Sequence, residues 1–331
     1  MTRRTTSGSF PRTSGTSRSV RVAATAFVAA AALTLSACGG NSDPLSGGGD
    51  GGSGSDPNAI VVGSANFTES EIIASIYADA LTANGFDAST RLSIGSREAY
   101  IPAVRDGSID LIPDYTGNLL LYLDPEATAT APDAVDSALT EALPEDLMAS
   151  TPAPGEDKDA VVVTRETAER WNLTNISDLA PYANEVRFGG PPEFAERPVG
   201  IPGLRDKYGV DIPAANYVPI SDGGGPATVA ALASGDITAA NLFTTTPAIV
   251  ENDFVVLGDP DNNFPAQNVV PVYNSSKASD KLTAVLDAVS AKLTTVELLA
   301  LNQEVSGESK TEPSAAASAW VAEQGLDQPI S

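Results

Sequence analysis

Two aromatic–threonine pairs, Tyr115-Thr116 and Phe243-Thr244, stand at matching points of a 331-residue chain. Each lies just beyond a glycine, Gly107 or Gly235, with the aromatic residue eight positions on. Each of those glycines lies twelve beyond another, Gly95 or Gly223. An aromatic face can hold a cation against its π-cloud, and ligands of open α/β sheets sit at strand ends. A lone tyrosine in such a place is commonly packing, but a matching Phe243 favours a cleft with two aromatic walls. Asn66, Thr68 and Ser96 stand at loop-to-helix transitions, where unpaired N–H groups favour an anion such as a ligand carboxylate. The alternative role of each is helix capping.

Most other chemistry is excluded by composition. The chain has no histidine, and Cys38 is its only cysteine. No Ser-His-Asp or Cys-His arrangement can be built, and no Cys/His zinc spacing exists. Gly223-Gly224-Gly225 lacks the lysine that a phosphate-cradling loop requires. A carboxylate pair remains possible, as in glycosidases, with Asp110 and Asp114 the nearest candidates. The expectation is a binding protein with no catalysis, no metal and no cofactor.

The elements that must position these residues alternate as strand and helix. A strand at 60–62 stops at Gly63, and a helix over 69–84 carries Ile72, Ile73, Ile76, Ala80 and Leu81 on one face. Thr68 and Glu71 are spaced as a capping box, and Gly85 is placed to end the helix. A strand near 90–94, a helix ending at Asp106 and a strand at 109–112 follow. The second half repeats the unit: strands at 160–163, 186–188 and 237–242, with helices at 166–171 and 228–234. Strands at 254–257 and 269–273 then lead to one long amphipathic helix over 280–301. Such alternation predicts an α/β fold with two mostly parallel sheets. Lobe 1 is expected to comprise 59–158 plus 258–331, and lobe 2 to comprise 159–257. Two crossings imply a hinge. Trp171 and Trp320 fall outside the repeated positions and read as packing.

The start of the chain is different. Five arginines and no acid precede the end of an apolar, alanine-rich run over 22–37. Such a segment reads as an export signal over 1–37. Leu35-Ser36-Ala37-Cys38 resembles a bacterial lipobox, which implies lipidation of Cys38. Residues 38–58, rich in Gly, Ser and Asp, read as a tether reaching about 25 Å on average. Beyond the signal, 14 basic residues face 43 acidic ones, a net charge near −29. Nucleic acid and anionic membrane surfaces are thereby disfavoured as partners.

Two segments resemble the signature stretches of the glycine betaine/choline-binding proteins of osmoprotectant ABC importers, of the ProX/OpuC type. They are Val62-Gly63-Ser64-Ala65-Asn66-Phe67-Thr68-Glu69 and Ile109 through Asn118, with Asp114-Tyr115-Thr116-Gly117-Asn118 at its end. Pro192-Glu193-Phe194 with Arg197, Gly200 and Gly203-Leu204 is similar to a further stretch, and 255–265 to another. The resemblance spans about residues 60–300. It implies a two-lobed type II periplasmic-binding-protein fold and an extracytoplasmic, lipid-anchored monomer that delivers cargo to a membrane permease and its ATPase.

Family members usually hold a trimethylammonium group in a box of tyrosines. Tyr115 matches one position, while Asp159, Phe243 and Gln267 stand where the others carry tyrosine. Ala65 replaces a frequent lysine, and Asn118 replaces a threonine. The altered box with an added Asp159 implies a cation held partly by charge, such as choline or another amine, in preference to zwitterionic betaine. Tyr115 and Phe243 are then expected as opposing walls, and Asp114 and Asp159 as negative charge. Asn66, Thr68, Ser96, Asn118, Thr245 and Gln267 would hydrogen-bond, and Arg197 would pair with a carboxylate or form a hinge salt bridge. Closure is expected about 159–161 and 255–270. A stand-alone receptor for a different solute and a carboxylate-based wall hydrolase remain as alternatives.

Overall fold

The computed structural model describes residues 57–307 and 309–330. Cys38, the export signal and all of the tether before Pro57 lie outside the described residues. Within them, ten strands form two five-stranded sheets. In chain order they are β1 Ala59–Gly63, β2 Asp87–Arg91, β3 Leu111–Tyr115, β4 Leu147–Ala149, β5 Asp159–Thr164, β6 Phe188–Gly190, β7 Tyr217–Pro219, β8 Ala239–Phe243, β9 Phe254–Val256 and β10 Val269–Asn274. The sheet orders are β2-β1-β3-β10-β4 and β7-β6-β8-β5-β9.

The two orders are the same plan: four strands of each sheet run one way, as expected, and the fourth in the order runs against them, which makes each sheet mixed. β1 pairs parallel with β2 and β3, and β6 with β7 and β8, as βαβ connections require. β10 instead runs antiparallel to β3 and β4, and β5 antiparallel to β8 and β9. β5 and β10 are the strands that arrive directly from the other lobe. Each starts at the cleft, beside the end of a parallel strand, so each must run the opposite way. Tyr115 therefore pairs with Val269, and Phe243 with Asp159.

Several strands sit two or three residues later than the apolar runs alone predict. β3 ends on Tyr115 itself, β6 begins at Phe188, and β8 extends to Phe243. β2 comes earlier, because Ser93 and Gly95 turn into left-handed backbone and take that stretch out of the sheet. Gly107 and Gly235, the repeated pair, both adopt φ +77° just after a helix. The helices they follow are α2 and α7 of a series that runs α1 Thr68–Ala83, α2 Arg97–Arg105, α3 Thr116–Leu123, α4 Pro132–Ala142, α5 Arg165–Trp171, α6 Ile201–Tyr208, α7 Pro226–Ala233 and α8 Ala248–Glu251. The series closes with α9 Asp280–Ser290, α10 Thr295–Ser306 and α11 Pro313–Glu323.

α1 buries Ile72, Ile73, Ile76, Ala80 and Leu81, the face its periodicity predicts. Thr68 does not cap it. Thr68 is its first helical residue, Phe67 takes the cap position, and no side chain caps the helix. Ser70 instead turns back, its Oγ accepting from the Ala65 N–H at 2.9 Å. The tail is not one helix over 280–301. It breaks at 291–294, where the Leu293 carbonyl accepts from the Gly155 N–H at 2.8 Å and Thr294 caps α10 through the Glu297 N–H. Leu286 and Val289 of α9, Leu298 and Leu301 of α10, and Trp320 of α11 join the core built on α1. Trp320 donates to Glu297 at 2.6 Å, and Trp171 stacks on Tyr182 at 4.5 Å between centroids, both as packing residues.

Candidate functional site

The cleft lies where the strand ends of the two sheets meet. Tyr115 comes from the end of β3, Asn118 from the first turn of α3, and Asn66 and Phe67 from the β1–α1 junction. Ser96, Arg97 and Tyr100 come from the start of α2. The second sheet brings Phe243 and Asn241 from β8 and Asp159 from the start of β5. Glu193 and Arg197 reach in from the segment after β6. A cavity of about 50 Å³ lies among these residues, with Asp157 of the first crossing also in its wall. The sequence-predicted Asn66, Ser96, Tyr115, Asn118, Asp159, Arg197 and Phe243 all line it. Thr68 and Thr245 do not; they line an adjoining cavity of about 650 Å³ on the far side of Phe67 and Phe243.

Tyr115 and Phe243 do not face each other across open space. Phe67 lies between them, its ring centroid 6.0 Å from Tyr115 and 5.2 Å from Phe243. With Tyr100, four aromatic residues surround the cavity. Phe67 and Tyr100 stand out poorly in sequence, since an aromatic residue beside a strand or one turn into a helix reads equally as core. The junction Asn66-Phe67-Thr68 was the available signal for the first.

Asp114 and Gln267 lie behind the wall. The Asp114 carboxylate receives Arg97 Nε at 3.2 and 3.1 Å and Arg97 Nη2 at 2.5 Å. Arg97 is only 6 % exposed and Asp114 fully buried, so this acid neutralises a buried cation and is not offered to a ligand. It also accepts from the Tyr115 N–H at 2.7 Å. Gln267 Oε1 accepts from the Asn118 N–H at 3.0 Å and fixes the start of α3, while its Nε2 has no partner among the described residues. Asp110 is spent on the Val61 N–H and on Lys277, so the Asp110/Asp114 pair is structural.

Asp159 ties the lobes together. Asn118 Nδ2 of the first donates to its Oδ2 at 2.7 Å, and Asn241 Nδ2 of the second to its Oδ1 at 2.9 Å. Glu69 does the same deeper down. It accepts from Tyr115 OH, Thr245 Oγ1 and Asn302 Nδ2, each at 2.6 Å. Burial and the nearby Glu69 push the Tyr115 phenol well up, so it remains a donor.

A third link is polar and exposed. Arg197 Nη2 reaches Glu98 at 3.0 Å and Glu193 at 3.6 Å. Partial burial works against the Glu98 anion, yet Arg197 and the Ser96 hydroxyl hold its carboxyl down at about 2, from an ordinary 4.5. A depressed carboxyl stabilises the closed pair above its ordinary range and loses that contribution as pH falls toward 2. Exposed pairs contribute about 0.2–1 kcal/mol. Glu98→Gln is therefore expected to weaken ligand binding only about two- to fivefold at neutral pH, with added salt weakening wild type toward the variant in titration calorimetry.

Two lobes joined by two crossings, with a cleft at their strand ends, define a type II periplasmic-binding-protein fold, the class of hinged solute receptors. The chain belongs to the family described as the substrate binding domain of ABC-type glycine betaine transport system, which it matches over residues 58–323. It is accordingly a receptor and not an enzyme. It is 24 % identical over 260 residues to the glycine betaine-binding protein YehZ of Escherichia coli (strain K12), covering 75 % of this chain and 85 % of that protein. Its fold is similar to that of a glycine betaine/carnitine/choline ABC transporter protein, with TM-score 0.62, 22 % identity, 81 % of this chain and all of the other. A choline-binding ABC-transporter protein in complex with choline aligns at TM-score 0.60 and 15 % identity, over 81 % of this chain and 89 % of that one.

Proposed function

We propose that this chain is the lipid-anchored, extracytoplasmic receptor of an ABC importer and captures a small quaternary-ammonium or other cationic osmolyte. The observation that carries the ligand class is the cleft's lining. Phe67, Tyr100, Tyr115 and Phe243 surround a cavity whose two arginines already serve Asp114 and Glu98, while Asp157 and Asp159 remain within it. Aromatic faces and carboxylates together favour a desolvated cation. The relatives whose names include glycine betaine and choline support the same class.

Capture proceeds by closure about the crossings near 159–161 and 255–270. Closure brings Asn118 onto Asp159, whose other oxygen Asn241 of the same sheet already holds, and Arg197 onto Glu98, so these links between the lobes form only when the cleft is shut. Asn66, Ser96 and Asn118 offer hydrogen bonds to the ligand's polar end. Cys38 carries the lipid, 38–58 the slack that lets the body, lobe 1 at 59–158 and 258–331 with lobe 2 at 159–257, reach a permease and its ATPase. The full chain carrying Cys38→Ser is the material for calorimetric binding to choline, glycine betaine, carnitine and cationic amines. Saturable one-to-one binding to at least one cation is expected; silence across the panel overturns the ligand class.

A further inference from the structure

Asp157, which the aromatic pattern does not mark, stands at the join of the two cavities and lines both. It is 4 % exposed. Its neighbour Glu69 shares Thr245 with it: the Thr245 N–H donates to Asp157 Oδ1 at 2.9 Å, and Thr245 Oγ1 to Glu69 at 2.6 Å. Two carboxylates are thus buried against one threonine.

Hydrogen-bond accounting separates them. Glu69 receives three donors, from Tyr115, Thr245 and Asn302, and so uses both oxygens as acceptors. That is the pattern of an ionised carboxylate. Asp157 receives Thr244 Oγ1 at 3.2 Å and the Thr245 N–H, both on Oδ1. No donor among the described residues reaches its Oδ2. We infer that Asp157 holds a proton on Oδ2 in the empty receptor and exchanges it for the ligand's positive charge. The step balances simply: the Oδ2–H bond breaks, the proton leaves to solvent, and the carboxylate left behind pairs with the bound cation. This rests on the cation reading above and makes Asp157 a specificity-determining residue.

The surrounding charges favour the exchange. Glu69 from α1 and Asp159 from β5 face Asp157; among the described residues the adjacent Lys158 forms no ion pair with it, and neither arginine of the cleft wall is free to neutralise it. Arg97 of α2 is held by Asp114, and Arg197 by Glu98 and Glu193. Tyr115 of β3 is a neutral donor. Across the larger cavity Glu71, Asp222 and Glu251 add negative charge, and Lys310 is exposed, donating to the Ser306 carbonyl at 3.5 Å. Burial, then the Glu69 charge, pushes the Asp157 carboxyl well up, in the same direction as the geometry.

The test is titration of the full chain carrying Cys38→Ser with choline, in buffers of different ionisation heat at several pH values. The difference in heats counts protons. Close to one proton released per choline is expected at pH 5–6, with affinity rising up to about tenfold per pH unit there. In Asp157→Asn, which keeps the Oδ1 acceptor, both the proton release and the pH dependence disappear. The preference for choline over zwitterionic glycine betaine shrinks at least about fivefold at pH 8. Choline binding with no proton release at any pH, or with the release intact in Asp157→Asn, overturns the inference and leaves the functional reading standing. Absence of binding by every cation overturns both. Carboxyl ¹³C titration of the empty protein checks the proton independently: an Asp157 carboxyl already ionised at pH 5 refutes it whatever the ligand.

Discussion

Tyr115→Ala is expected to lower affinity for the cationic ligand by at least about thirtyfold, the largest binding effect of any single change. The ring ends β3 at the cleft and packs 6.0 Å from Phe67, so its loss opens the aromatic wall. A desolvated cation–aromatic contact contributes about 2 kcal/mol or more, which corresponds to roughly thirtyfold in affinity. The substitution also removes one of three donors to buried Glu69. Tyr115→Phe separates the two effects, because it keeps the ring and deletes only the hydroxyl. A loss below about tenfold is expected for the phenylalanine variant, a net hydrogen bond to a charged group contributing about 1.5–3 kcal/mol to stability and only part of it to binding. Calorimetry on both variants is decisive. Affinity in Tyr115→Ala within threefold of wild type would remove Tyr115 from the site.

The largest expected stability effect is elsewhere in the same wall. Arg97→Met leaves the Asp114 carboxylate without its partner in a fully buried place. Breaking a buried pair from one side costs about 3–5 kcal/mol, because the remaining charge is uncompensated. Urea unfolding is expected to show that loss, with Asp114→Leu alone comparably damaging. The double variant should recover a large part of it, since apolar replacement of both partners removes the orphan charge. Binding suffers too, as Asp114 also accepts from the Tyr115 backbone. A single variant as stable as wild type would show that the pair is not the wall's anchor.

Sequence reasoning reached the residues whose periodicity or spacing repeats. The apolar face of α1, the equal offsets of Gly95 and Gly107 with Gly223 and Gly235, and the placement of Tyr115 and Phe243 are local signals. They need no knowledge of the partner lobe. Most of what it missed depends on contacts distant in sequence. Asp114 looked like free negative charge because Arg97, seventeen residues away, gives no sign of its direction. Gln267 looked like a wall residue because its amide is committed to Asn118, across the cleft's rear. Thr68 matched a capping box that the chain does not form, since Ser70 takes over the local hydrogen bond. The helix predicted across 280–301 is broken by a carbonyl recruited to Gly155, which no helical propensity encodes. Asp157 carried no pattern at all; only its two neighbours and two cavities make it distinctive.

The late return of β10 to the first sheet bears on the order of assembly. The first sheet places β10 between β3 and β4, so residues 57–158 alone leave β4 separated from the other three strands by a gap. As the chain is synthesised, β3 must wait for some 150 later residues before its second edge is covered. The second sheet, continuous from 159 to 256, can close long before the first. A nascent chain stopped between residues 256 and 269 would therefore hold one finished sheet and one with a gap, and could not trap cargo. Ligand-dependent protection from protease should appear only once 274 has emerged, making capture one of the last properties the growing polypeptide acquires.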